Sequence, residues 1–127
     1  MKIKTVEAIP LTTTLASVQR TSQVAYREIS ICLVKVETDT GITGVGECLA
    51  RFAPRAYAVL IEDLLEPVLI GQDPFSVAEL WHTMRDTLNG RSGGILFEAI
   101  AGVDIALWDI MGKALDVNVA RRTTDEW

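Results

Sequence analysis

The sequence is poor in the residues on which most metal sites and nucleophilic relays are built. Its single histidine, His82, leaves no pair of imidazoles to hold a metal ion. The two cysteines, Cys32 and Cys48, have no close spacing of the zinc-ribbon or redox kind, and both fall in strand-like segments. They read as reduced core residues rather than a disulfide, which fits a cytoplasmic protein. Basic residues are outnumbered, 12 against 17 acidic, and the net charge of −5 gives nucleic acid no electrostatic footprint. Long hydrophobic runs are also lacking. The most apolar window, Ile95 to Leu115, is interrupted by Glu98, Asp104 and Asp109, so no membrane span is expected. Met1 to Glu7 has no apolar core of a signal peptide. What remains, 49% apolar and 23% charged over 127 residues, describes one globular domain.

The period of the apolar residues changes once along the chain. Lys2 to Leu11 reads as a first strand, and the polar stretch Thr12 to Tyr26 as a loop. Glu28 to Thr38 is the clearest strand: Ile29, Ile31 and Leu33 alternate with Cys32, Val34 and Val36, so both faces are expected to be buried. Asp39-Thr40-Gly41 supplies turn chemistry before a strand over Thr43 to Cys48, completing an antiparallel three-stranded meander. After Pro54 the period becomes helical, through Tyr57, Leu60, Ile61, Leu64, Leu65 and Val68, with Pro67 expected to kink or end the helix. Asp73-Pro74 reads as N-cap and first residue of a second helix, whose stripe is Val77, Leu80, Trp81, Met84 and Leu88. After Asn89 to Gly94 a third helix runs from Ile95 to Leu115. It is apolar on nearly all sides and therefore expected to be buried. Strands followed by three helices define an α+β domain. Residues 120–127 lack periodicity and are expected to fray.

Few residues outside this pattern carry a chemical signal. Gly41 to Gly46 and Gly90 to Gly94 lack the Lys-Ser/Thr ending of a phosphate-binding loop, and Gly44 and Gly46 fit close backbone approach in a strand. Glu98, Asp104 and Asp109 share one helix, but Asp104 points away from the other two. Glu98 and Asp109 lie roughly 16 Å apart along the axis, too far to chelate one ion. Caps and ion pairs are the expected roles, and Asp109 stands at i,i+4 to Lys113. His82 has no partner of ligand type beside it and reads as a surface or half-buried residue.

The run Ala99-Ile100-Ala101-Gly102-Val103-Asp104-Ile105-Ala106-Leu107-Trp108-Asp109-Ile110-Met111-Gly112-Lys113 is the most specific feature of the chain. It resembles a signature of the mandelate racemase/muconate lactonizing enzyme family of the enolase superfamily: an Ala-rich helix, Asp-x-Ala-Leu-Trp-Asp, then Gly-Lys. The match continues to Lys113-Ala114-Leu115. It departs at Asn118, where the family pattern has a proline, and at Arg121-Arg122-Thr123-Thr124, where Leu-Leu-Gly is usual. The resemblance implies an enolase-like N-terminal capping domain over residues 1–117, a divergent tail over 118–127, and a catalytic barrel absent from this chain.

Such a barrel takes about 200 residues or more. The reaction implied is Mg²⁺-assisted abstraction of a proton alpha to a carboxylate, with the metal and the bases on the barrel, so this chain alone is expected to bind no Mg²⁺ and to be non-catalytic. Lys2-Ile3-Lys4 matches the Lys-x-Lys of some superfamily bases, but it opens the chain instead of ending a barrel strand.

The resemblance also implies that two loops, Thr12 to Tyr26 and Leu49 to Pro54, fold over the barrel mouth and meet a small carboxylate substrate. Arg20, Arg27, Arg51 and Arg55 are available there, and Arg20, Tyr26, Arg51 and Phe52 are the candidate substrate-binding residues. The polar first loop favours acid-sugar dehydration as the parent reaction, over a lactonizing enzyme or epimerase. Two other readings compete: a free-standing, non-catalytic interaction module, and a truncated or frame-shifted product. Without its barrel the domain is expected to self-associate through apolar surface.

Overall fold

The computed structural model describes residues 1–91 and 93–120. Three strands, β1 (Ile3–Arg20), β2 (Ala25–Thr38) and β3 (Thr43–Arg51), form one antiparallel sheet in the order β1-β2-β3. Helical segments follow: α1 (Pro54–Leu60), a π-helical turn (Ile61–Leu65), α2 (Glu66–Leu69), α3 (Val77–Arg85), a 3₁₀ turn (Asp86–Leu88) and α4 (Ile95–Ala114). The first three run on without a break, so the meander is followed by three helical rods. This is the fold class read from the sequence.

The stretch expected as a loop is instead an extension of the β1–β2 hairpin. Thr12 pairs with Ser30 and Thr14 with Glu28; after a register shift Gln19 pairs with Tyr26 and Arg20 with Ala25. Consecutive threonines suit extended backbone, but most of this arm is solvated, so no apolar alternation marks it. A side-chain turn closes the tip: the Thr21 hydroxyl accepts the amides of Gln23 (3.3 Å) and Val24 (3.1 Å).

Burial of both faces of β2 is also corrected. Cys32, Val34 and Val36 are fully buried beneath the helices, whereas Ile31 and Leu33 on the outer face are half-buried and Ile29 is 41% exposed. An antiparallel sheet can leave one face wet, and a continuous apolar run does not say which.

Pro54 stands at the first turn of α1, as expected. At Pro67 the helix has widened into the π turn just before it, and it ends two residues on, at Leu69. Widening accommodates the ring and the missing N–H. Asp73 caps a turn rather than a helix: its carboxylate accepts the Phe75 amide (3.0 Å) and its carbonyl the Ser76 amide (3.0 Å), so α3 begins only at Val77. The stripe residue Leu88 falls in the 3₁₀ turn.

The core lies between the inner sheet face and α4, which sinks Leu96, Ile100, Val103, Leu107 and Ile110 completely. Its opposite side is not covered, contrary to the reading of a helix buried all round: Ile105 is 50% exposed. What brings α4 onto β3 is the absence of side chains. A Cβ on Gly46 would lie 1.9 Å from the Gly102 carbonyl oxygen, one on Gly44 2.0 Å from that of Ala106, and one on Gly102 2.3 Å from the Cys48 sulfur. Helix backbone therefore rests directly on strand backbone, with Cα–H groups facing carbonyls. Gly46→Ala must push the two apart. It should lower stability by about 2–3 kcal/mol in urea titration, whereas Val45→Ala on the open face should cost less than about 1 kcal/mol.

Candidate functional site

The antiparallel register carries the candidate residues to one end of the domain. The β1–β2 tip lies beside the start of β2, and the start of β2 lies beside the end of β3. Thr21, Gln23, Val24, Tyr26, Glu28 and Ser30 face Leu49, Arg51 and Phe52 across a concavity of about 350 Å³. Tyr26, Arg51 and Phe52 thus come together, although Tyr26 and Arg51 are far apart in sequence. Arg20 pairs with Ala25 at the adjacent rung and does not line this concavity. Arg55 lines a separate hollow with Pro10, Thr12 and Phe52.

Arg51 is held in a left-handed backbone conformation, φ 49°. Side-chain-bearing residues seldom adopt it, and such strain persists where the surroundings enforce it. The enforcement is visible: β2 and β3 slip register between Ser30 and Cys32, and the chain turns with the Ala53 amide on the Ala50 carbonyl (3.0 Å). The result throws Phe52 outward, 69% exposed. Beneath this turn the Tyr57 hydroxyl donates to the Glu98 carboxylate, tying α1 to the first turn of α4. Burial, and then the Glu98 carboxylate, push the Tyr57 phenol up to about 12, while nearby Arg51 pulls the other way. Sequence reasoning missed this tie because Tyr57 sits within an apolar helical stripe and its partner is distant in sequence.

The cysteines, which have no close spacing along the chain, are direct cross-strand partners, Cys32 opposite Cys48. Both are free and buried. Burial, and then the neighbouring Cys32, push the Cys48 thiol up to about 12, and its S–H faces the Ala99 carbonyl at 3.7 Å.

The three carboxylates of α4 have three different employments. Glu98 takes Tyr57, and half-buried Asp104 has its carboxyl pushed up by burial while the neighbouring Trp108 side chain pulls the other way. Asp109 accepts the Val45 amide (2.9 Å) and pairs with Lys113 (2.6 Å), whose ammonium also reaches the Thr43 carbonyl (2.8 Å). Among the described residues no three histidine, cysteine or acidic side chains converge. Glu98 and Asp109, with separate partners at the two ends of α4, do not share one metal ion. His82 is exposed and sets its ring edgewise against Trp81, centroids 5.3 Å apart. No helix among the described residues is long and apolar enough to cross a membrane.

An enolase-like N-terminal fold with a loop-built concavity defines the class. The family description "Mandelate racemase / muconate lactonizing enzyme, N-terminal domain" matches residues 3–121, and the chain belongs to that family. It is 46% identical over 86 residues to a D-galactonate dehydratase of Verminephrobacter eiseniae, a match covering 68% of this chain and 22% of that protein. A member of the enolase superfamily from Polaromonas sp. JS666 superposes with a TM-score of 0.81 at 35% identity, over 91% of this chain and 31% of that one. A racemase from Streptomyces coelicolor A3(2), solved with bound magnesium, gives 0.83 at 27% identity, over 89% and 32%. The chain therefore spans between a fifth and a third of these relatives' lengths.

Cys48 and Tyr57, with Cys32 also pushed up by burial, set the alkaline behaviour. The unfolded thiol and phenol release protons near their ordinary values of 9.0 and 10.0, whereas the folded groups hold theirs to about 12. Above about pH 9 the folded state binds more protons, so stability falls with rising pH until both folded groups have titrated. Urea midpoints should stay level from neutrality to pH 9 as far as these groups are concerned, then decline towards pH 12. Cys48→Ala should flatten the first part of that decline.

Proposed function

We propose that this domain caps the mouth of a catalytic barrel and helps to select a small carboxylate substrate of the acid-sugar type. The observation that carries the reading is the meeting of Tyr26, Arg51 and Phe52 at one end, with Arg51 held in a strained turn. A guanidinium grips a carboxylate with two parallel N–H bonds. Tyr26, Thr21 and Gln23 add hydroxyl and amide groups suited to a polyol, and Phe52 excludes water above them. Arg20, at the adjacent rung of the hairpin, would meet the substrate from the rim.

The parent reaction is Mg²⁺-assisted proton abstraction alpha to the carboxylate, leading to dehydration. Its likeness to a D-galactonate dehydratase supports this over lactonization or epimerisation. The magnesium and the proton-transferring base belong to the barrel; residues 1–117 supply binding and orientation. The location is cytoplasmic. Residues 121–127, expected to fray, lie outside the described residues.

Two experiments test this. The purified chain should show no Mg²⁺-dependent exchange of the alpha proton of D-galactonate in D₂O; exchange abolished by EDTA would contradict the assignment. Transplanted in place of the matching domain of the Verminephrobacter enzyme, the chain should support dehydration. There Arg51→Ala should raise KM by about tenfold or more, the order expected for losing a charge-assisted hydrogen bond. An unchanged KM would remove Arg51 from the site.

Apolar side chains left open, among them Leu49, Phe52 and Ile105, also predict association of the isolated domain, with α4 near the contact. Leaving about 400 Å² of such surface wet forgoes about 10 kcal/mol as an upper bound. Sedimentation and melting should depend on concentration; a monomer with a fixed, high Tm would oppose this.

A further inference from the structure

The turn that presents Arg51 and Phe52 to the tip concavity is anchored from two sides. On one side β3 ends at Arg51, which pairs with Ser30 of β2. Ser30 is buried, and its hydroxyl shares a hydrogen bond of 2.8 Å with that of Thr12 on β1. On the other side α1 begins at Pro54, so only Phe52 and Ala53 connect the two elements. Ala53 precedes a proline, which narrows its backbone choice, and it stands at φ −137°, ψ 58°. The change of direction therefore falls on Arg51, at φ 49°. Such a conformation costs free energy and persists only while both ends of the turn are held.

The start of α1 has no local means of holding itself. It carries no side-chain cap and no acid in its first turn, and α4 also opens without a side-chain cap. What joins these two helix starts is the bond from the Tyr57 hydroxyl to the Glu98 carboxylate. Tyr57, one helical turn beyond Ala53, is 4% exposed, and Glu98 is half-buried in the first turn of α4. A charge-assisted bond in such surroundings is strong, and removing either partner leaves the other unpaired. Arg51 lies near enough for its charge to act on the Tyr57 phenol. Neither Tyr57 nor Glu98 lines the concavity itself.

We propose that Tyr57 and Glu98 are positioning residues for substrate selection: the bond between them fixes the start of α1, keeps Arg51 left-handed, and so sets its guanidinium and the Phe52 ring at the concavity. The inference rests on the proposed contact between Arg51 and a substrate carboxylate. Tyr57→Phe fills the same space without the donor and should free the turn. Glu98→Gln still offers the hydroxyl an acceptor oxygen and should keep it.

A residue with positive φ holds its amide proton close to its own Hα, so the whole ¹⁵N-labelled chain should give a strong intraresidue cross-peak between them for Arg51. Tyr57→Phe should lose that signal and Glu98→Gln retain it, both with dispersed amide spectra. Asp109→Ala, which loosens the far end of α4, should also retain it, separating the tie from general destabilisation. In the unsubstituted chain the Tyr57 hydroxyl proton should exchange with water slowly enough to be observed, a readout that needs no variant to fold. In the transplanted enzyme, Tyr57→Phe should raise KM for D-galactonate about threefold or more with little change in kcat, and add nothing to Arg51→Ala. An Arg51→Ala without effect on KM would overturn the reading on which the inference rests. A raised KM for Arg51→Ala, beside a Tyr57→Phe that leaves KM and the cross-peak unchanged, would overturn the inference alone. So would loss of the cross-peak in Asp109→Ala, an unobservable hydroxyl proton, or a Tyr57→Phe effect that persists beside Arg51→Ala.

Discussion

The architecture depends on one seam, where α4 lies on β3 with backbone against backbone. Gly46 faces the Gly102 carbonyl, Gly44 faces that of Ala106, and Gly102 leaves room for the Cys48 sulfur. At this separation the large residues of α4 on either side of the seam reach the inner sheet face, and Ile100, Val103, Leu107 and Ile110 lose all contact with water. Interiors packed at crystal-like density cannot absorb an extra methyl where the nearest atoms are carbonyl oxygens. The seam is also pinned in register. Asp109 and Lys113 bind the Val45 amide and Thr43 carbonyl at one end, and at the other the Tyr57–Glu98 bond ties α4 to α1.

That arrangement separates a rigid part from an adaptable one. The inner sheet, α4 and the rod from Pro54 to Leu69 form one buried cluster. The hairpin arm beyond Thr14 has a register shift and exposed residues on nearly every position. A loop-like arm mounted on a packed scaffold is how binding surfaces are commonly varied without disturbing a core. The Arg51–Phe52 turn stands at the boundary, its strain held by β2 on one side and by the Tyr57–Glu98 tie beneath.

Much of this was legible in the residues. The change of period at Pro54, the long third helix and the glycines that fit close approach are local signals, and each is where the pattern puts it. The errors have a common cause in that solvent exposure is a tertiary property. The Thr12–Tyr26 segment hides a strand because most of it is solvated, and Ile29 and Ile105 are exposed although apolar, because apolar residues do not announce which side lacks a partner. Asp73 shows a different limit: an Asp-Pro pair serves a turn as well as a helix start. The candidate residues Tyr26, Arg51 and Phe52 came from resemblance, and their meeting followed only from the strand register. The Cys32–Cys48 and Tyr57–Glu98 pairs likewise join residues distant in sequence, and no spacing rule could have announced them.

Native-state amide hydrogen exchange tests the division between seam and arm most directly. Amides of residues 100–110 in α4 and of 32–36 in β2 should exchange only through global unfolding, with one shared free energy and one urea dependence. Amides of the arm, residues 14–26, should exchange through local opening that urea scarcely affects. Equal protection of the arm and the seam, or exchange of α4 ahead of β2, would contradict the account.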